Sequence, residues 1–303
     1  MVQVNPIKRS AAAFFDSVGL NSLSRALQDL IFWPFIRVVY YHDISPAMAD
    51  DFERQLISYR ESYVPASRED LGNLLSGGGW SHDRPGIILT FDDGLRSHAE
   101  VAAPILDKFG FQGWFFVPVD LITLAPSEQP SAALQRGVLH DCDTAHDPRV
   151  FMSEEELIAL SGRHIVGCHT GSHVRLSENL TDSQLRTELV GAKQRLEAVL
   201  GRRVDSFSWV GGEEWAYSAA AARIVAGLFD YVFTTNTSIT RPGSSPLKID
   251  RTHVEASFSA ALVRFHLSGM MDLYYRSKRR RLDSRLSSCN AATAGMLGKA
   301  SRQ

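Results

Sequence analysis

Cysteine is scarce in this chain of 303 residues, and the three that occur, Cys142, Cys168 and Cys289, are odd in number and widely spaced. With no Cys-x-x-Cys pair, neither a disulfide framework nor a thiolate zinc site is indicated, and a reducing compartment fits. An excess of charge is missing too: Lys and Arg total 32 against 34 for Asp and Glu, a formal net charge of −2. A dedicated nucleic-acid binder, which draws affinity from a basic surface laid on phosphates, is therefore disfavoured. Long apolar runs are lacking as well. Leu30 to Tyr41 is broken by Pro34 and Arg37 and lies too far into the chain for a secretory h-region, so neither a signal peptide nor a spanning helix is expected. No internal repeat is found. What remains is an ordinary globular composition, 44% hydrophobic and 22% charged, at a length suited to one large domain.

Short apolar, β-branched or aromatic runs alternate with helical patterns. Strands are expected at Val38–Tyr41, Ile87–Phe91, Trp114–Val117, Ile165–Cys168, Ser206–Trp209 and Tyr231–Thr234, with a weaker one near Leu247–Ile249. The clearest helix runs from about Asp182 to Leu200, with Leu185, Leu189, Ala192, Leu196 and Val199 on one face, a Thr181/Gln184 capping box and Gly201 as stop. Ser153 and Glu156 repeat the box, and Gly162 closes that helix; another follows Gly94 and ends at Phe109–Gly110, with Pro104 disturbing its first part. Such alternation implies parallel pairing with helical crossovers, in an open doubly wound sheet or a closed β/α barrel. Asp120 to Arg149 reads as an irregular polar insertion or lid.

Chemistry concentrates after two of these strands. Thr90-Phe91-Asp92-Asp93-Gly94 ends an apolar strand in adjacent carboxylates, where β/α folds collect reacting groups. An Asp-Gly turn is the plain alternative, yet two like charges side by side favour an arrangement in which one holds a metal ion and the other stays ionised as a base. After Ile165–Cys168 come His169-Thr170-Gly171-Ser172-His173, two imidazoles four residues apart that converge on one ion if the segment curls. Asp93, His169 and His173 would make three N/O ligands with a position left for water, the pattern of a catalytic site.

Thr-Phe-Asp-Asp-Gly at 90–94 followed by His-Thr-x-x-His at 169–173 resembles the polysaccharide deacetylase family, the NodB-homology enzymes of carbohydrate esterase family four. Val38-Val39-Tyr40-Tyr41-His42-Asp43 is similar to the opening signature of its permuted branch, which deacetylates poly-N-acetylglucosamine and other surface polysaccharides, and the resemblance extends over roughly Val38 to Val254. It implies an α/β fold, a distorted (β/α)7 barrel, in which Asp93, His169 and His173 hold a divalent metal, zinc foremost and cobalt, nickel or manganese as alternatives. It also implies Asp92 as general base, His42 as general acid, and supporting or substrate-binding places for Thr170, Trp209, Gly211 and Arg251. Domain limits follow: a helical lead-in over 1–36, a catalytic domain over 37–283 with an insertion at about 120–150, and a loose tail over 284–303.

One family block departs. Phe207-Ser208-Trp209-Val210-Gly211-Gly212 keeps aromatics and the last glycine but has neither the arginine nor the proline found in relatives, which leaves open what orients Asp92. Arg251 resembles an arginine of a late block and could grip a carboxylate bidentately, against the plain reading of a surface arginine. His42 bonded to Asp43 is the plain reading of that histidine, and His253 is a weaker candidate acid. His140-Asp141-Cys142-Asp143 with His146 reads as a solvated loop. Arg276 to Arg281, preceded by Leu273-Tyr274-Tyr275, could touch an anionic membrane face, although such a run is usually a solvated helix end.

The expected activity is metal-dependent removal of N-acetyl groups from amino sugars of a polysaccharide or oligosaccharide. Its rivals are a carbohydrate-binding protein of the same fold without turnover, and a hydrolase of non-sugar amides. Phosphotransfer is disfavoured because the two aspartates are adjacent and no phosphate-cradling loop follows. The expected partner is an N-acetylated saccharide, not nucleic acid, and the expected location is cytoplasmic, with peripheral membrane contact a further reading.

Overall fold

The computed structural model describes residues 6–139 and 148–284. Among them, nine strands pair in one sheet: β1 Ile36–Tyr41, β2 Val64–Pro65, β3 Gly86–Phe91, β4 Gly113–Val117, β5 Ile165–Cys168, β6 Ser206–Ser208, β7 Tyr231–Phe233, β8 Ile239–Thr240 and β9 Thr252–His253. The order is β7-β6-β5-β4-β3-β1-β8, with β2 beside β3 and β9 beside β1. All pairs are parallel except β1 with β8. Strands in such a sheet are covered on both faces, which explains why all six residues of β3 are buried.

Side-chain alternation sorts the core into two clusters. Ile36, Val38, Ile88, Trp114, Phe116, Phe233 and Ile249 fill the concave interior. Val39, Tyr41, Ile87, Leu89, Phe91, Phe115 and Val117 face the surrounding helices. The interior is tight: a Cβ on Gly167 of β5 would stand 2.5 Å from the Phe116 ring and 2.6 Å from Ser206 Oγ.

Closure comes from an expected strand that is barely one. Ile249 makes a single bridge to Phe233 of β7, and three residues later Thr252 and His253 pair with Val39 and Tyr40 of β1. The segment 249–253 thus touches both ends of the curled sheet, and the architecture is the NodB-type barrel rather than an open doubly wound sheet.

Both capping boxes form, at Ser153/Glu156 and Thr181/Gln184, each cap contributing about 1 kcal/mol. Gly201 ends its helix at φ 64, whereas Gly162 closes the other with a right-handed conformation. The 182–200 helix is helical throughout but passes through a π segment at Thr187–Gly191. A second π segment, His98–Ala102, precedes helix Ala103–Phe109, so Pro104 falls in a first turn where it is tolerated. Within the stretch read as irregular, short helices occupy Val119–Ile122 and Gln129–Gln135. Its buried Leu121, Ile122 and Ala133 supply the apolar contacts that its polar composition obscured. The cluster from His140 to His146 lies outside the described residues, as do Cys142 and Cys289.

Candidate active site

Alternation along the strands also builds the site. On β1 the interior line Ile36, Val38 continues to Tyr40 and His42; on β3 the line through Ile88 continues to Thr90 and Asp92. On β5, Val166 and Cys168 face the helices, so Gly167 and His169 face inward. These carboxyl-terminal ends open into a cavity of about 590 Å³ lined by His42, Asp92, Asp93, His169 and His173.

Among the described residues, the non-glycine positions in the left-handed region are Asp93 (φ 81), Thr170 (φ 64) and His173 (φ 58). All three belong to the two motifs, and strain concentrated in this way is characteristic of functional geometry. Thr170 is fully buried, and its hydroxyl accepts from the Val174 N–H at 3.1 Å, which curls the loop between the histidines. Glu188, presented by the π segment, accepts from the N–H groups of Gly171 and Ser172 at 2.9 Å each and from Ser172 Oγ at 2.7 Å.

The curled loop brings three ligand-type side chains together. Ligand atoms of Asp93, His169 and His173 lie within 4.8 Å of one another. Nδ1 of His169 donates to the Ser208 carbonyl at 2.9 Å, and Nδ1 of His173 donates to the Arg136 carbonyl at 3.0 Å. A carbonyl can only accept, so both Nδ1 atoms carry hydrogen and both Nε2 atoms turn toward Asp93. Asp93 Oδ1, buried and with no hydrogen bond, stands 3.0 Å from His173 Nε2 and 3.5 Å from His169 Nε2. Two imidazole nitrogens and a carboxylate oxygen converging in a buried site, with both rings oriented from behind, fit a divalent cation.

Asp92 is 3% exposed and held by Arg251, whose Nη1 reaches Oδ1 at 2.7 Å and Nη2 reaches Oδ2 at 2.8 Å. The plain surface reading of Arg251 is corrected: it is fully buried in the barrel seam, donates also to Thr90 Oγ1, Ser208 Oγ and the Thr234 carbonyl, and lies over the Tyr40 ring. Burial alone would raise the Asp92 carboxyl, but the guanidinium and the His169 ring outweigh it and hold the carboxyl below its usual range.

His42 does not pair with Asp43, whose carboxylate accepts from Ser97 Oγ instead. Its Nδ1 meets Glu255 Oε1 at 2.9 Å, and His253 Nε2 meets the same oxygen at 2.6 Å. Burial would lower the His42 pKa, but its bond to Glu255 and that carboxylate's charge overcome the effect and raise it to about 9. Glu255 moves the other way: burial pushes it up, and the two histidines bring it down to about 2. Glu255 was missed in the sequence, although Arg251, His253 and Glu255 recur at every second position, the spacing of an inward-facing edge.

The 207–212 block contributes more scaffold than wall. Trp209 is 2% exposed, packs on Phe207 and Tyr217 and does not line the cavity, and its N–H is spent on the Phe233 carbonyl. Gly211 does line it, at φ 77, where a Cβ would stand 2.5 Å from Glu213 Oε2.

Residues 81–227 match the family model described as polysaccharide deacetylase. No curated protein matches the chain. Among solved structures, the Streptococcus pyogenes deacetylase PplD in complex with acetate superposes with a TM-score of 0.59 at 21% identity, over 77% of this chain and 98% of that one. IcaB from Ammonifex degensii gives 0.57 at 19% identity, over 79% and 97%. The BpsB deacetylase domain from Bordetella bronchiseptica gives 0.58 at 18%, over 73% and 96%. At these identities the structures establish the shared fold, and residues 81–227 carry the match to the polysaccharide deacetylase family model.

Proposed function

We propose that the protein is a metal-dependent hydrolase that releases acetate from N-acetylated amino sugars of a polysaccharide or oligosaccharide. The observation that carries this reading is the adjacency of two differently treated aspartates: Asp93 turned toward two oriented imidazoles, and Asp92 clamped by a buried arginine. Asp93, His169 and His173 would hold the ion, zinc by the character of the donors. Bound there, it would supply an acidified water and a polarised acyl carbonyl.

The chain's own groups complete the hydrolysis. Asp92 accepts a proton from the water whose oxygen bonds to the acetyl carbon, and Arg251 keeps the carboxylate oriented for it. The Gly211 N–H, at the cavity wall, would meet the developing oxyanion. As the C–N bond breaks, protonated His42 delivers a proton to the departing nitrogen, and Glu255 retains the ring in its donating form. The products are acetate and a free amine. Gly212, Arg175 and Glu213 at the cavity wall are placed to contact the sugar.

The test is acetate release from acetylated glucosamine oligomers by the chain loaded with zinc or cobalt, run against acetylated non-sugar amides. Acetate from the oligomers alone supports the reading. Saccharide and metal binding without acetate would make it a binding protein, and turnover of simple amides alone would move the substrate class.

A further inference from the structure

The second helix of the chain is built inside out. In Leu20–Phe32 the buried side chains are Asn21 and Gln28, while Leu20, Leu23, Leu27, Leu30 and Ile31 are 40%, 56%, 48%, 81% and 64% exposed. Its orientation is fixed by polar contacts on the inner side. Gln28 Oε1 accepts from Arg37 Nη2, and Gln28 Nε2 donates to Asp272 Oδ2, both at 3.0 Å; Ser24 Oγ donates to the Ser268 carbonyl at 2.8 Å. Gly269, at φ 87, is needed there, since a Cβ would stand 2.7 Å from Gln28 Nε2. A stripe at three- and four-residue spacing ordinarily faces a core; here the docking contacts hold it toward solvent. Phe14 and Val18 on one side and Phe32 and Trp33 at the far end extend the apolar surface.

Positive charge borders this face. Leu27, Ile31 and Phe32 share a cleft with Leu273, Arg276 and Arg279. Five of the six residues 276–281 are Lys or Arg in a chain whose net charge is −2. Arg279 donates to the Thr237 carbonyl and Arg281 pairs with Glu214, while Arg276 and Arg280 stand exposed. No helix among the described residues is long and apolar enough to cross a membrane. An apolar helical face of about 20 Å, rimmed by exposed Trp, Tyr and arginine side chains, has the composition of a surface that lies in a lipid interface.

We propose that helix Leu20–Phe32 and residues 273–281 form a docking surface for an anionic lipid bilayer. The same elements reach the candidate active site on their other side: Tyr275 and Lys278, with Lys8 of helix Pro6–Ser17, line its cavity, and Lys8 Nζ donates to Tyr275 Oη at 3.3 Å. Docking would therefore hold the cavity mouth beside the membrane surface.

The experiment is co-sedimentation of the full chain with vesicles of phosphatidylcholine alone and of equimolar phosphatidylcholine and phosphatidylglycerol, at low and high salt. The mixed vesicles should bind it more strongly, and salt should weaken that binding. Leu23→Asp/Leu27→Asp should reduce binding to the mixed vesicles at least about tenfold. Arg276→Gln and Arg280→Gln should each cost roughly fivefold on mixed vesicles and little on phosphatidylcholine. Unchanged thermal melting of these exposed-site variants shows that they fold. Absence of vesicle binding by the unaltered chain, or binding indifferent to the leucine changes, overturns the proposal. A concentration-dependent dimer that Leu23→Asp/Leu27→Asp dissociates, without vesicle binding, overturns it in favour of a second copy of the chain.

Discussion

Arg251 grips Asp92 with both terminal nitrogens, at 2.7 and 2.8 Å, although the two residues are far apart in sequence and the 207–212 block holds no arginine. Removing the grip leaves a buried carboxylate uncompensated. Arg251→Met should therefore lower stability by about 3–5 kcal/mol in urea denaturation. Arg251→Lys keeps a charge but not the planar fork, so it should recover more stability than acetate release.

The two aspartates should separate experimentally. Asp92→Asn should abolish acetate release while the chain still binds zinc by calorimetry, whereas Asp93→Ala or His173→Ala should lose both. Full activity of Asp92→Asn would remove it as the base.

His42 offers a pH test with a defined sign. Its pKa is raised from 6.5 to about 9, so the stabilisation from the protonated ring is complete below 6.5 and is lost as pH rises through about 9. The alkaline limb of kcat/KM should lie in that upper range. Glu255→Gln should move it toward neutral pH, and His42→Ala should cost about a hundredfold or more in rate. An unmoved alkaline limb in Glu255→Gln would assign the limb to another group.

Glu188 touches neither metal nor substrate in this scheme; it fixes the loop between the two histidines. Glu188→Ala should weaken zinc binding by roughly 10–100-fold, the range for supports behind ligands, with far-UV circular dichroism unchanged. Glu188→Gln, which keeps an acceptor oxygen, should recover part of the affinity.

Gly167→Ala tests the interior packing. Its added methyl meets Phe116 and Ser206, and the strain should cost about 1–3 kcal/mol, seen as a lower melting temperature.

Much of this was legible from short-range pattern. The apolar run into Asp92 and Asp93, the His169–His173 spacing and both capping boxes depend on neighbours in the chain, and each lies where it was read. What the sequence left open has a different cause. Nothing local says that Arg251 is buried, that Glu255 rather than Asp43 meets His42, or that Trp209 is walled off behind Gly211; those follow from the seam at 249–253 meeting β1. The π segments are single turns and so leave little trace in the sequence. Helix 20–32 shows its leucine stripe plainly, yet a stripe does not declare whether it faces protein or solvent. Only its buried Gln28 and half-buried Ser24 decide that.

The strap that shuts the barrel, 249–253, is also the stretch that delivers Arg251. The Asp93, His169 and His173 trio is assembled from the ends of β3 and β5, well before the strap is synthesised, so a growing chain could present these groups while Asp92 still lacks its arginine. Were this late-arriving closure to open locally, Asp92 would lose its clamp without scattering the trio, and the proposed proton transfer would be lost before the bulk fold.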